Sequence, residues 1–196
     1  HTARYTQFAF KISALWAGKE GSLLFWIFCQ ALVSIIFLLI SKEKAYKPLL
    51  FILPVQAFLV LLISNFNIFS FQIGESPFLL LREVKANIGN KIFEMPNYLG
   101  LINKGAGLNP LLRNFWMVIH PPVLFAGFAT ALIPWALSMS RLTEKDSSNV
   151  DILIKKYSIL AIAILGTGIM LGGAWAYVAL SFGGFWTWDP VENASL

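Results

Sequence analysis

The segment 183–195, GGFWTWDPVENAS, follows directly on a long apolar run, and the fold can be worked out from it. Asp189 can cap a helix, Pro190 suits the first helical position, and Glu192 stands where a capping box has its acidic partner. The spacing therefore predicts that a helix begins here. The tryptophans before it form a surface that suits a flat, apolar ligand with an anionic edge, although aromatics at a membrane interface show the same pattern.

Composition places the chain in a membrane. Apolar residues make up 57% of the 196 residues and charged residues 13%, which is too apolar for a soluble domain of this length. We therefore predict an all-α integral membrane protein, a polytopic bundle of transmembrane helices. The single Cys29 lies in an apolar run and offers no disulfide framework or thiolate metal site. Because the chain begins with His1 and stops at Leu196, just after the predicted helix starts, we expect it to be an internal part of a longer protein.

Four apolar runs are long enough to cross a bilayer core of about 30 Å. The chain 1–196 is therefore predicted to be part of one membrane domain with four complete spans and the first turn of another. Close helix packing is predicted for the last span, where a packing role is preferred to a functional one for its glycines. The spans cover residues 22–40, 49–69, 121–139 and 158–180, and the glycines are Gly166, Gly168, Gly172 and Gly173.

The charges of the short loops predict the orientation. Loops 41–48 and 141–156 are rich in lysine and arginine, which marks them as cytoplasmic. The long loop 71–119 and the segment 182–195 then lie together on the external side. This loop is expected to carry short interfacial helices rather than a separate domain, and to cover a ligand or dock partners. The net charge of +5 is explained by this topology, so no nucleic-acid partner is predicted.

His120 is the candidate metal ligand of the chain. It precedes Pro121 and Pro122, and a residue before proline disfavours the helical conformation. His120 is therefore expected just outside the third span, at the external membrane surface. A neutral imidazole is a common ligand of haem iron, and a hydrogen bond to the loop is the alternative role. The predicted topology favours ligation, because it puts His120 on the same side as the tryptophans of 182–195.

Three long motifs occur in order along the chain. They are WAGKEGSLLFW at 16–26, GLNPLLRNFWMVIHPP at 107–122 and FGGFWTWDPVENAS at 182–195. Together they resemble the CcmF/NrfE family of cytochrome c maturation subunits, within the haem-handling WWD superfamily. The resemblance covers essentially the whole chain, and the DPVEN form points to this family rather than to its related branches. Trp16 and Trp26, at the two ends of the first motif, are interpreted as interfacial or packing aromatics.

The resemblance implies a haem lyase-type enzyme that acts as part of a complex. Haem b delivered by the chaperone CcmE would be held at the external WWD surface and joined through its vinyl groups to the thiols of apocytochrome c. CcmH/CcmI-type subunits would be further partners, and a resident b-type haem belongs to the full-length family protein. The bacterial inner membrane with a periplasmic active face is expected, with the mitochondrial inner membrane as the alternative. No catalytic residue is assigned, because positioning supplies the main catalytic effect.

By the family pattern, His120 would be one axial ligand of the haem iron, and Trp116 would either shield the haem edge or pack. The chain has Phe182 and Phe185 at two positions where the family usually has tryptophan. A phenylalanine ring at either position lacks the N–H donor of an indole. The second axial ligand and the ligands of the resident haem would lie beyond Leu196, so this chain alone is expected to be inactive. The cofactor-binding surface is expected to contain Phe182, Gly183, Gly184, Phe185, Trp186, Trp188 and Asp189.

Two alternatives to the lyase remain open at this point. A haem export or relay protein of the same superfamily would hold haem without ligation chemistry. A non-catalytic membrane scaffold would use its aromatic belt only as an anchor in lipid. The second alternative explains neither the DPVEN cap nor a histidine on the same side as the tryptophans.

Overall fold

Seven α-helices and one short hairpin make up the described part of the chain. The computed structural model describes residues 6–69, 71–84, 87–101, 108–143, 148–179, 184–188 and 190–195. The prediction of an all-α membrane protein is confirmed, with the hairpin as the one local departure. The helices are α1 Phe8–Ser13, α2 Lys19–Ser41, α3 Tyr46–Ile63, α4 Tyr98–Leu101, α5 Phe115–Leu142, α6 Ser148–Val178 and α7 Pro190–Ser195, and the antiparallel strands are β1 Phe66–Ile68 and β2 Phe71–Ile73.

Three helical stretches of the described chain are long and apolar enough to cross a membrane, namely Lys19–Ile63, Phe115–Leu142 and Val150–Val178. The first stretch contains both α2 and α3, which are separated by a 3₁₀ turn at Lys42–Ala45. The side-chain N–H of Gln56 on α3 donates to the backbone carbonyl of Ile27 on α2 at 3.1 Å, so the two helices lie side by side. The number of crossings, four, stays a prediction.

The helix formed by the second apolar run ends earlier than the composition of this run indicates. The span was expected to reach residue 69, but α3 ends at Ile63 and Asn65 takes a left-handed conformation with φ of 44°. The chain then forms the hairpin of β1 and β2. A short apolar run cannot be assigned to helix or strand by composition alone. Short helical turns at Leu81–Glu83, Lys91–Glu94 and Pro110–Leu112, together with α4, follow in the long loop.

Helices α5 and α6 pack against each other in an antiparallel arrangement through glycine contacts. A Cβ atom at Gly127 would lie 2.6 Å from the Cα of Leu165, and one at Gly168 would lie 2.9 Å from the Cα of Leu124. Both positions require glycine, because a side chain there would overlap the backbone of the neighbouring helix. The predicted packing role is therefore confirmed for Gly168, and this close contact sets the register of the two helices.

The two ends of this helix pair are chemically different. At one end the guanidinium of Arg141 binds the carboxylate of Asp151 in a bidentate ion pair with distances of 2.6 and 2.8 Å. The main apolar core lies at the same end, where the rings of Phe37 and Tyr157 meet edge to face at 5.2 Å. His120 lies 21 residues before Arg141 on α5, which is about 32 Å along a helix. His120 therefore lies at the opposite end of the pair.

Candidate functional site

The structure places His120 inside α5, so the prediction that it lies just outside the helix is wrong. The helix begins at Phe115, and His120 belongs to its second turn. Pro121 has no N–H to donate to the carbonyl of Met117, which is the bond an ordinary helix would form. The indole N–H of Trp16 donates to this carbonyl instead, at 2.9 Å. A contact from a distant part of the chain thus satisfies the carbonyl group that the proline leaves open.

The imidazole of His120 is held against α6. Its Nδ1 lies 2.9 Å from the backbone carbonyl of Gly168. A carbonyl only accepts hydrogen bonds, so Nδ1 carries the proton and Nε2 keeps a lone pair that can bind a metal ion. The ring fits here because Gly172 has no side chain: a Cβ at that position would lie 2.7 Å from Cε1 of the imidazole. The ring of Trp175 lies 5.9 Å from the imidazole ring, at a tilt of 48°.

A cavity of about 180 Å³ lies beside this imidazole. It is formed between α5, α6, the segment 184–188 and α7, and its walls are mainly apolar. Two residues of the predicted site, His120 and Trp186, line it together. The lining includes His120, Leu124, Gly172, Trp175, Trp186 and Ser195.

The side chain of Trp186 lines the cavity, and its indole N–H is buried. Its Nε1 is buried and has no acceptor within the part of the chain that the structure describes. A buried donor without an acceptor costs about 1–3 kcal/mol. Trp188 lies next to it, with the two rings edge to face at 5.8 Å, and its own side chain is mostly exposed.

Side chains of helix α7 hold the tryptophan-containing segment 184–188 in place by hydrogen bonds. It begins at Pro190, as the sequence predicts. The carboxylate of Glu192 accepts hydrogen bonds from the backbone N–H of Thr187 at 2.8 Å and from its hydroxyl at 3.2 Å. The side-chain N–H of Asn193 donates to the carbonyl of Trp188 at 2.8 Å. These bonds hold Trp188 in a left-handed conformation with φ of 58°, which is uncommon for a residue other than glycine.

The other predicted site residues have different positions. Phe185 lies with its ring against Gly173, where a Cβ would be 2.7 Å from ring atoms. Gly184 has φ of 131°, a conformation that favours glycine. Trp116 is in the first turn of α5, with its ring 5.9 Å from that of Phe115, and is not among the residues that line the cavity. The predictions for Phe182, Gly183 and Asp189 fall outside the described residues.

Two residues next to the imidazole were not part of the predicted site. The sequence predicts a packing role for Gly172, but this residue contacts the His120 ring, and Trp175 lies next to the same ring. The sequence does contain a signal, because Gly168, Gly172 and Trp175 are spaced four and three residues apart and share one face of α6. Only the register between α5 and α6 shows that this face meets His120.

The described residues contain no group of three or more His, Cys, Asp or Glu side chains that could hold a metal ion. The polar side chains that line the mainly apolar cavity are those of His120, Trp175, Trp186, Glu192 and Ser195. The single imidazole among them suits a metal ion whose other ligands come with it, as in a metal-bearing macrocycle. The structure thus defines a helical membrane protein with a mainly apolar cavity beside a half-buried histidine ring.

The comparison with known proteins gives the family. The family model described as "Cytochrome C assembly protein" matches residues 16–196, and the chain belongs to this family. The chain is 32% identical over 188 residues to the cytochrome c-type biogenesis protein NrfE of Haemophilus influenzae. It is 31% identical over 195 residues to CcmF of Pseudomonas aeruginosa and 30% identical over 192 residues to CcmF of Escherichia coli.

Each of these alignments covers 95% of this chain and 25% or 26% of the relative. The chain therefore spans about a quarter of the length of the curated relatives that it matches. No solved structure matches it. The resemblance to the CcmF/NrfE family is confirmed, and it places the chain in cytochrome c biogenesis.

Proposed function

We propose that this chain forms one side of a site that holds haem as a substrate for attachment to apocytochrome c. The observation that carries the proposal is the His120 imidazole, whose Nδ1–H donates to the carbonyl of Gly168 and whose Nε2 is left with a lone pair beside a cavity. A hydrogen bond at the other ring nitrogen is the usual way in which a protein orients a histidine that binds a metal.

The residues present fit haem on three counts. His120 can supply one axial ligand, and Trp186 can donate its unshared N–H to a propionate. Gly172 lets the imidazole lie close against α6, because a Cβ there would be 2.7 Å from Cε1 of the ring. The cavity of about 180 Å³ is smaller than the roughly 300–1,000 Å³ of ligand pockets, so this part of the chain would hold one edge of the macrocycle.

The role of the chain in the reaction would be positioning. Addition of a thiol across a vinyl group forms one C–S bond and moves the thiol hydrogen to the neighbouring carbon, with no net oxidation or reduction. His120 would fix the iron, Trp186 would fix the propionate edge, and the exposed ring of Trp188 would extend the apolar surface. Holding two reactants in a productive geometry can supply about 7–11 kcal/mol of a barrier. No nucleophile from this chain is required.

The proposal includes the cellular setting. The full-length protein would be the haem lyase-type subunit of a membrane complex in the bacterial inner membrane, with this end of the helices on the periplasmic side. The chaperone CcmE would deliver haem b, and apocytochrome c and CcmH/CcmI-type subunits would be its partners. The family and the matching relatives, which are named for cytochrome c biogenesis, support this setting.

The test is a comparison of the full-length protein with its His120→Ala variant. Reduced-minus-oxidised absorbance spectra should lose one haem component in the variant, while the signal of a resident b-type haem remains. Free imidazole should restore the lost component, because it can enter the space that the side chain leaves. Unchanged spectra and unchanged capture of haem from the chaperone would show that His120 is structural. Haem capture without formation of cytochrome c by the wild type would favour the relay alternative.

A further inference from the structure

We propose that Trp16 is a positioning residue for His120. Its indole N–H would hold the turn of α5 that carries the imidazole, by way of the carbonyl of Met117. This gives a role to the WAGKEGS motif at 16–22, which the haem site itself does not use. The consequence for haem rests on the proposed function, whereas the contact between Trp16 and α5 does not.

Within α5, the carbonyl of Met117 lacks its usual backbone donor, because residue 121 is a proline. Met117 is 3% exposed, so water does not serve its carbonyl, and Pro121 removes the N–H that the helix would normally provide. Nearly all buried carbonyl groups in proteins have a donor. The Trp16 indole lies 2.9 Å from this carbonyl and is itself buried. The pair of Trp16 and Pro121 therefore replaces one backbone hydrogen bond with a side-chain bond from another part of the chain.

The WAGKEGS motif holds Trp16 in place. The hydroxyl of Ser22 lies 2.9 Å from the carbonyl oxygens of both Trp16 and Gly18, and either oxygen can accept its proton. Gly21 allows the chain before α2 to approach closely, because a Cβ there would overlap the carbonyl oxygen of Leu15. The Trp16 ring also packs on the ring of Phe25, at 4.9 Å. The small and polar residues of the motif thus have a structural task, which is to present one indole N–H to α5.

The bond from Trp16 lies one helical turn from the imidazole of His120. Met117 precedes His120 by three residues and so lies one turn away on the same face of α5. The imidazole is bonded on its other side to the carbonyl of Gly168 on α6. This turn of α5 is therefore held from two sides, by Trp16 through its backbone and by Gly168 through the His120 ring. Loss of the Trp16 bond would let the turn move and would misalign Nδ1 with Gly168.

The experiment compares Trp16→Phe with Trp26→Phe in the full-length protein. Both changes keep an aromatic ring and remove an indole N–H, but the Trp26 N–H has no acceptor among the described residues, and its ring packs on Phe128 at 5.4 Å. Trp16→Phe should weaken haem binding about tenfold, the size expected for one buried hydrogen bond. It should also reduce the low-spin spectrum of imidazole-ligated haem. Trp26→Phe should leave both unchanged. Equal behaviour of the two variants would overturn the proposal.

A double-mutant cycle with Pro121→Ala tests the contact without haem. Alanine at this position restores an N–H that can bond the Met117 carbonyl. The fall in thermal unfolding midpoint caused by Trp16→Phe should then shrink by at least half in the Pro121→Ala background. An equal fall in both backgrounds would overturn the proposal. If the cycle shows the coupling while His120→Ala leaves haem binding unchanged, the Trp16 contact stands and the proposed function fails.

Discussion

Gly172→Ala should displace the imidazole of His120 from its position against α6. A Cβ at this position would lie 2.7 Å from Cε1, 3.1 Å from Nδ1 and 3.3 Å from Nε2. Ordinary contact begins at 3.4 Å, so the ring has to withdraw by about 0.7 Å. The hydrogen bond from Nδ1 to Gly168, now 2.9 Å, would lengthen or break as the ring moves away.

The expected magnitude follows from this overlap. Adding a methyl group to a packed site typically costs about 1–3 kcal/mol, which corresponds to roughly 5- to 150-fold weaker haem binding. Alanine also favours a helix over glycine by about 0.5–1 kcal/mol, which acts on folding and not on the site. The imidazole can relieve the overlap by rotating. The loss should therefore appear in haem affinity, while the unfolding midpoint changes little.

Gly166→Ala is the matched control on the same helix. A Cβ at Gly166 would meet no atom within 4 Å, so the variant gains the same helix preference without touching the imidazole. The assay is a titration of the full-length protein with haem, followed by Soret absorbance, together with the spectrum of imidazole-ligated haem. Equal haem affinity in the Gly172→Ala and Gly166→Ala variants would refute the reasoning.

Three further predictions concern neighbouring contacts. Gly168→Ala should lower the thermal unfolding midpoint by several degrees, because its Cβ would lie 2.9 Å from the Cα of Leu124 and a backbone atom cannot rotate away; a wild-type midpoint would contradict the helix contact. Trp186→Phe should weaken haem binding about five- to tenfold without loss of thermal stability, because the removed N–H is buried without an acceptor among the described residues; unchanged haem titration would argue against its contact with haem. Arg141→Gln should change the free energy of unfolding by less than about 1 kcal/mol, and less at high salt, because its pair with Asp151 is largely exposed; a larger effect in denaturation at two salt concentrations would indicate a buried role.

The start of α7 could be predicted because its signals are local. Pro190 and the acidic residue two positions later lie within one turn, and the helix begins where this chemistry places it. Glu192 does reach back toward the chain before the helix, where its carboxylate accepts hydrogen bonds from Thr187. The long apolar helices were predictable for the same reason, since length and composition are read within one stretch of chain.

The position of His120 within α5 could not be predicted from the neighbouring residues. The rule for a residue before proline considers only the local chain, and it places His120 outside a helix. The helix nevertheless continues through Pro121, and the donor that satisfies the Met117 carbonyl comes from Trp16, 101 residues earlier. The role of Gly172 could not be predicted for the same reason, because the sequence shows a small residue but not the ring that contacts it.

The position of His120 against α6 also depends on the number of residues in α5 and α6, because the two helices pack in a fixed register. Arg141 meets Asp151 at one end and His120 meets Gly172 at the other, and 21 residues separate the two contacts on each helix. One residue inserted between them on either helix would turn everything beyond it by about 100° and shift it by about 1.5 Å. The ion pair and the imidazole contact could not then both form. The two contacts at opposite ends of the pair therefore constrain the number of residues between them on each helix.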